Sequence, residues 1–400
     1  MLPTDFRLNS RSELRSEARA TELAGGSAPA VDPWNRVLDN YGGLSSAAGL
    51  GSWLWQRQKQ YKDLQPRRIR ALVRAESDLR DYIEGGTVSS SFPRHALEVQ
   101  YHGSPVLTLT RGLKREEMHS VASVTKAVTA VAILRLVQEQ KIGLNDDIAL
   151  YFKEAPHLAR PLGGVPIRIR DLLQHSSGIS YSPADGAIVR GLSGLAYPIG
   201  RQFRPAREDH HYSNFNYYIL AALIERVSHK SYQRYIHEDI FAPLQMQHSR
   251  IPANIRGAAG MHSSVADLAW FMNAVFGKRL DHPFLERRYI AEMIKKPDHI
   301  PFHPEMTYYA LGVRVQLHNG KVSSVFHSGI WNGMFGEMRY FPETDAALAH
   351  IGNPPCFRCA GVQSYRWQSV ALTNEYLRKI KQVFSQPGSD PAGELVIKKQ

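Results

Sequence analysis

β-type runs occur at two places far apart in this chain, with helical sequence between them. Ala96–Tyr101 and Val106–Thr110 come early and are joined by His102-Gly103-Ser104-Pro105, a turn sequence, so they read as a hairpin. Leu311–Leu317, Ser324–Phe326, Gly336–Tyr340 and Ala346–Ala349 come late, separated by turn clusters. From Pro156 to about Ile251 the chain reads mostly as helices and loops. Tyr217–Val227 is the clearest helix there, with Leu220, Leu223, Ile224 and Val227 at helical spacing. This order predicts an α/β chain of the α+β type: one antiparallel sheet flanked by helices, with a mostly helical lobe inserted. The expected units are a basic, partly helical leader (1–86), a sheet domain (87–155 and 256–386), the lobe (156–255) and a flexible tail (387–400). Within the sheet domain a helix is expected over Ser123–Gln140, ended by Gly143. Another is expected over Val265–Phe276, capped by Ser263-Ser264, and a last one over Tyr365–Phe384.

Composition narrows the class. Of 400 residues, 43% are apolar and 22% charged, as in ordinary globular proteins. No window approaches the roughly 18 unbroken apolar residues of a membrane span. Met1–Arg19 is charged throughout, with no apolar stretch of a secretory signal, so the sequence as given reads as cytoplasmic; a periplasmic or secreted location stays open. The net charge of +12 is partly local, with Arg57, Lys59, Lys62, Arg67, Arg68, Arg70 and Arg74 close together. Such a run is a solvated helix face or a contact for an acidic surface, and no nucleic-acid module accompanies it, so no nucleic-acid partner is expected. Cys356 and Cys359 form a lone C-x-x-C, which is half a zinc site; a redox pair, a local disulfide and two loop thiols are the readings left. Adjacent His210 and His211 lack a spaced carboxylate partner and read as supporting or surface residues. There is no G-x-S-x-G elbow, P-loop or dinucleotide fingerprint. No metal and no cofactor is expected.

Three short boxes carry chemistry. Ser123-Val124-Thr125-Lys126 is the chain's only S-x-x-K, and residues three apart share a helix face. A serine hydroxyl needs a base to become a nucleophile, and a desolvated lysine can serve as one. Tyr212-Ser213-Asn214 is the only Y-x-N and precedes a helix. A phenol beside an ammonium can act as a base, and an amide can hold a carbonyl; a buried Tyr followed by a helix cap is the plainer reading. His327-Ser328-Gly329 follows a strand run, where glycine marks close backbone approach. The N–H of Ile330 with that of Ser123 would make a two-donor oxyanion hole.

In this order the boxes resemble those of the serine β-lactamase-like hydrolases, of the class C β-lactamase, DD-peptidase and family VIII esterase type. Met118–Lys126 resembles the nucleophile segment, Arg170–Gly178 the loop before the helical lobe, Tyr212–Val227 the second box and its helix. Gly260–Leu268 resembles the return helix, and His327–Asn353 the third box and final strands. The resemblance runs from about Leu97 to Phe384 and implies a β-lactamase/transpeptidase-like fold. It implies Ser123 as acylated nucleophile, Lys126 and Tyr212 sharing acid–base work, and Asn214 on the substrate carbonyl. It also implies Ser123 and Ile330 amides as oxyanion donors, with His327, Ser328 and Gly329 lining the leaving-group side. His327 stands where true β-lactamases usually have Lys, and Asn216 where the family often has Gly. The expectation is a metal-free serine hydrolase acting through an acyl-enzyme on a small ester, amide or D-peptide, as an esterase or D-amino-acid peptidase-like enzyme. A β-lactamase or acyltransferase of the same fold is one alternative, and a non-catalytic scaffold is another. Tyr181–Pro198 and Phe302–Tyr309 are the expected pocket walls, and Trp331 reads equally as pocket lining or core. Oligomeric state is left open.

Overall fold

The early hairpin and the late strands meet in one sheet. The computed structural model describes residues 94–153, 166–179, 210–253, 256–278 and 283–353, the backbone of 187–190 and 196–199, and a few positions in 74–81 and 377–378. Most of the basic leader, both cysteines, most of the expected C-terminal helix and the tail lie outside the described residues. Strands β1 (His95–Tyr101) and β2 (Ser104–Arg111) form the hairpin. A short β3 (His119–Ser120) follows, then β4 (Ala187–Arg190), β5 (Ala196–Ile199) and β6 (His262–Ser263). The late strands are β7 (Thr307–Tyr309), β8 (Arg314–His318), β9 (Lys321–Trp331), β10 (Met334–Phe341) and β11 (Ala346–Gly352). The seven-stranded sheet runs β2-β1-β11-β10-β9-β8-β7, and every pair in it is antiparallel. The chain closes on itself where β1 pairs with β11, from His95 opposite Gly352 to Tyr101 opposite Ala346.

Two differences from the sequence reading bear on the site. β9 does not stop at Phe326 but continues through His327-Ser328-Gly329 to Trp331, so the third box is itself strand. It extends because Asn332-Gly333, both at positive φ (48° and 74°), turn tightly into β10. Asn319-Gly320 does the same between β8 and β9. The lobe is also not only helical, since β4 and β5 pair within it. The expected Tyr217–Val227 helix begins earlier, at Asn214, and ends at Ser228.

Helices cover the sheet and build the lobe. They are α1 (Thr125–Gln138), α2 (Ile169–Gln174), α3 (Asn214–Ser228), α4 (Tyr232–Tyr235), α5 (Val265–Phe276) and α6 (Arg287–Ile294). α5 lies on β1, β10 and β11, and α3 packs on α1 and α2. Ser264 caps α5 by accepting from the Asp267 N–H at 3.2 Å. Among the described residues no helix is long and apolar enough to cross a membrane. α1 is buried nearly all round, from Thr125 through Ile133 and Leu136, so its few polar side chains must find partners inside the protein.

Buried polar groups in the sheet are paired. Arg339, 2% exposed, donates to Glu337 at 3.0 and 2.8 Å and to Ser324 at 2.6 Å. Arg115 forks onto buried Glu98. The buried imidazoles behave differently. His350 on β11 lies 6.1 Å from the His95 ring, and burial, then His95, holds its pKa well below the usual 6.5. The unfolded chain therefore binds a proton there that the folded chain does not, so stability is full above pH 6.5 and falls as pH drops below it. The expected slope from this one group is at most about 1.4 kcal/mol per pH unit. Urea midpoints at neutral and acidic pH should diverge in the wild type and diverge less in His350→Gln, buried His175 contributing to what remains.

Candidate active site

Ser123 sits on a 3-10 turn, Ala122–Val124, that leads directly into α1. The α-helix proper starts at Thr125, two residues later than the sequence suggests. The reason is Ala122, which takes a left-handed φ of 48°. The Thr125 hydroxyl donates back to the Ala122 carbonyl at 2.6 Å, and the Gly260 N–H reaches the same oxygen at 3.2 Å. Val121 N–H donates to the Met261 carbonyl at 2.9 Å. The turn is thus fixed from its own helix and from the 256–261 loop.

Lys126 has no solvent exposure. Its Nζ lies 2.6 Å from the Ala258 carbonyl, 2.7 Å from Asn214 Oδ1 and 3.3 Å from Ser123 Oγ. Burial holds its pKa well below the usual 10.5. A neutral amine has two N–H donors and one lone pair. The carbonyl and the amide oxygen can only accept, and they make the two shorter contacts. That leaves the lone pair for the contact with the serine hydroxyl, which is the arrangement of a base. The Tyr212 and Tyr217 rings stand 4.7 and 5.5 Å from Nζ.

Tyr212 and Asn214 are placed by His175. This residue closes α2 in a left-handed conformation, φ 60°, and its Nδ1 accepts the Ser213 N–H at 3.2 Å. Asn216 Nδ2 lies 3.1 Å from the same nitrogen, and Asn216 Oδ1 accepts from Ser177 Oγ at 2.8 Å. Asn216 therefore occupies a hydrogen-bonding position where glycine could not serve. With Nδ1 accepting, His175 is neutral with its proton on Nε2. Burial, then Lys126, pulls its pKa well below 6.5. Its ring lies 4.3 Å from that of Tyr212 and 4.8 Å from that of Tyr309.

β9 forms the floor. A Cβ on Gly329 would lie 2.4 Å from Ser123 N and 2.7 Å from the Val121 carbonyl. Gly336, its partner across β10, would bring one 3.0 Å from Val121 Cβ. Two facing glycines thus let the serine turn settle onto the sheet. Ile330 and Trp331 follow with exposed side chains (44% and 58%), so Trp331 is not core. His327, by contrast, is buried. Its Nδ1 donates to the Ser328 carbonyl at 2.9 Å, and its Nε2 lies 3.1 Å from the Tyr309 hydroxyl.

The structure therefore brings together Ser123, Lys126, Tyr212 and Asn214, with Gly329 against the serine amide. It also places two groups that sequence reasoning missed. The Ala258 carbonyl leaves no trace in residue letters. Arg314, at the start of β8, lines a cavity of about 270 Å³ with His210, Ile300, Thr307, Tyr308 and Tyr309. It has no acidic partner among the described residues. Its position at a strand start reads as an ordinary exposed residue in sequence, yet it and His210 share a cavity wall with Tyr309.

An antiparallel sheet with a helix-borne serine, a buried lysine and a Tyr-x-Asn turn between lobe and sheet defines a β-lactamase/transpeptidase-type fold. The Beta-lactamase family model matches residues 79–353, and the chain belongs to that family. The chain is 33% identical over 145 residues to Protein flp of Staphylococcus aureus, covering 34% of this chain and 28% of that protein. It is 27% identical over 175 residues to Penicillin-binding protein 4* of Bacillus subtilis, covering 38% and 36%. The alignments thus span about a third of the lengths of these curated relatives. Among solved structures, the D-amino acid amidase from Ochrobactrum anthropi aligns over 77% of this chain and all of its own, with TM-score 0.59 and 21% identity. The octameric penicillin-binding protein homologue from Pyrococcus abyssi aligns over 78% and 80%, with TM-score 0.55 and 21% identity. At such identities the structures share the fold.

The glycine floor gives a direct test. Gly329→Ala should push the Ser123 amide off its position, lowering acylation by a fluorophosphonate probe by about 100-fold, as a displacement of order 1 Å does. Thermal unfolding, measured alongside, should show the cost of overpacking, about 1–3 kcal/mol.

Proposed function

We propose that the protein is a serine hydrolase that forms an acyl-enzyme on Ser123 and acts on small amides or peptides bearing a carboxylate. The observation that carries this reading is the buried Lys126 amine, with two acceptors occupying its N–H bonds and the Ser123 hydroxyl on its third side. In the proposed reaction Ser123 Oγ attacks the substrate carbonyl carbon as its proton passes to the Lys126 nitrogen. The Ser123 and Ile330 N–H groups receive the developing oxyanion. As the tetrahedral adduct collapses, the carbon–nitrogen or carbon–oxygen bond breaks. The proton reaches the leaving group through the coupled Lys126–Tyr212 pair. Water then attacks the ester on Ser123 with the same pair as base, releasing the acid and restoring the hydroxyl. Asn214 holds both Lys126 and the substrate carbonyl. The scheme moves protons and one acyl group and needs no further reactant.

Arg314 favours a carboxylate-bearing peptide over a plain ester. A partly buried guanidinium without an acidic partner among the described residues, in a cavity walled by Tyr309, whose ring lies 6.0 Å from that of Tyr212, suits an anionic group on the substrate. The relation to penicillin-binding proteins and to a D-amino acid amidase is compatible with a D-configured substrate.

Intact-mass analysis after incubation with a D-Ala-D-Ala peptide, p-nitrophenyl acetate or a cephalosporin should show an acyl adduct on the wild type. Ser123→Ala should show none, and Lys126→Ala should acylate at least about 100-fold more slowly. Equal labelling of wild type and Ser123→Ala would falsify the reading. Separately, Arg314→Gln should raise KM for a peptide with a free C-terminal carboxylate by roughly 10- to 100-fold, the worth of a hydrogen-bonded charge. Its effect on the matching C-terminal amide should be small. Equal losses on both would place Arg314 outside substrate recognition.

A further inference from the structure

Beneath the site, one turn along α1 from Lys126, lies a second hydrogen-bonded group. Thr129 Oγ1 is 2.8 Å from the Gly257 carbonyl, 2.8 Å from the Tyr232 hydroxyl and 3.1 Å from the Thr125 carbonyl. Both side chains are fully buried. A threonine hydroxyl carries one proton, and carbonyl oxygens only accept. The Thr129 proton therefore goes to the carbonyls, with Gly257 the nearer, and Tyr232 donates its own to Thr129 Oγ1. Tyr232 is held in turn, its backbone N–H donating to Glu225 Oε1 at 2.8 Å.

Gly257 and Ala258 are neighbours in the 256–261 loop, and their carbonyls are gripped by side chains three residues apart on one helix: Gly257 by Thr129 and Ala258 by Lys126. The backbone at Gly257 has little room to choose. It has φ of 62°, and a Cβ there would lie 2.2 Å from the Tyr217 carbonyl. We propose that Thr129 and Tyr232 act as positioning residues, a buried clasp that fixes the 256–261 loop so that the Ala258 carbonyl stays on the Lys126 amine and its lone pair stays on Ser123. The clasp touches neither substrate nor reacting atoms. Its consequence for rate rests on the serine-hydrolase reading above, but its consequence for Lys126 does not.

Loss of the clasp frees the Ala258 carbonyl and opens the amine to water. The burial that depresses its pKa weakens, and the midpoint rises toward 10.5. The titratable groups facing Lys126 are Tyr212 and Tyr217 from the segment around the start of α3 and His175 from the end of α2, and none is altered by the variants below.

The test is a pH titration of the Lys126 ¹⁵Nζ signal in the full chain, assigned with Lys126→Met, for wild type, Thr129→Val, Thr129→Ser and Tyr232→Phe. Thr129→Val and Tyr232→Phe should raise the midpoint by about one pH unit, a tenfold change in the amine-to-ammonium ratio. Thr129→Ser, which keeps the hydroxyl, should match the wild type. Single-turnover acylation by p-nitrophenyl acetate should fall by about tenfold in the first two variants with KM within about twofold, and its pH limb should move with the NMR midpoint. An unmoved midpoint in both Thr129→Val and Tyr232→Phe would overturn the clasp, as would a Thr129→Ser as impaired as Thr129→Val. If Thr129→Val does not fold, Tyr232→Phe decides alone. Should Ser123→Ala acylate like the wild type, the hydrolase reading falls, and the titration still decides the clasp.

Discussion

The arrangement depends on one amine that has been taken entirely out of water. Burying an unpaired ammonium costs several kcal/mol even after relaxation, and a protein usually avoids this by pairing or neutralising the group. Around Lys126 the described partners are oxygens without charge: a backbone carbonyl, an amide and a hydroxyl. Among the described residues no carboxylate pairs with it, and burial pushes its pKa down. This is also why α1 is so apolar. A helix that carried compensating acids beside Lys126 would keep the proton on nitrogen and remove its use as a base.

That requirement explains how the fold is divided. The serine comes from the 3-10 turn before α1 and the lysine from its first turn, Asn214 and Tyr212 from the segment entering α3, the Ala258 carbonyl from the return loop, and the flat floor from β9. Each lies on a different part of the chain, and the pairing of β1 with β11 brings the two ends of the sheet together around them. The sheet contributes absence as much as presence. Gly329 and Gly336 face each other across β9 and β10, and only the lack of two methyl groups lets a strained serine turn lie against the strand.

The sequence made some of this legible and hid the rest for identifiable reasons. The period-2 runs located β1, β2 and β8 to β11, because alternation and turn residues act locally. The Ser-x-x-K spacing placed two side chains on one face for the same reason. The start of α1 was misplaced because Ala122 adopts a conformation that alanine rarely takes, imposed by contacts with the 256–261 loop distant in sequence. β9 runs beyond Phe326 because its closing turn is Asn332-Gly333, so the strand carries the His327-Ser328-Gly329 box to Trp331. Ala258 contributes through its backbone, and any residue letter would supply the same carbonyl. Arg314 gains meaning only from the cavity wall it shares with Tyr309 and His210.

His327 shows how a local contact can redistribute a function. An imidazole at the third box invites a role as a weak cation, partly charged near neutral pH. Here its Nδ1 can only donate to the Ser328 carbonyl, and its Nε2 lies 3.1 Å from the Tyr309 hydroxyl. Both nitrogens are committed to partners within the protein. The ring is therefore better suited to fixing Tyr309 and the β9 backbone than to holding an anion. Tyr309 in turn walls the cavity that contains Arg314. A positive charge that a substrate could meet lies on β8, on the planar guanidinium of Arg314. In the proposed enzyme, carboxylate recognition would then vary little with pH, while acylation would follow the ionisation of the Lys126–Tyr212 pair.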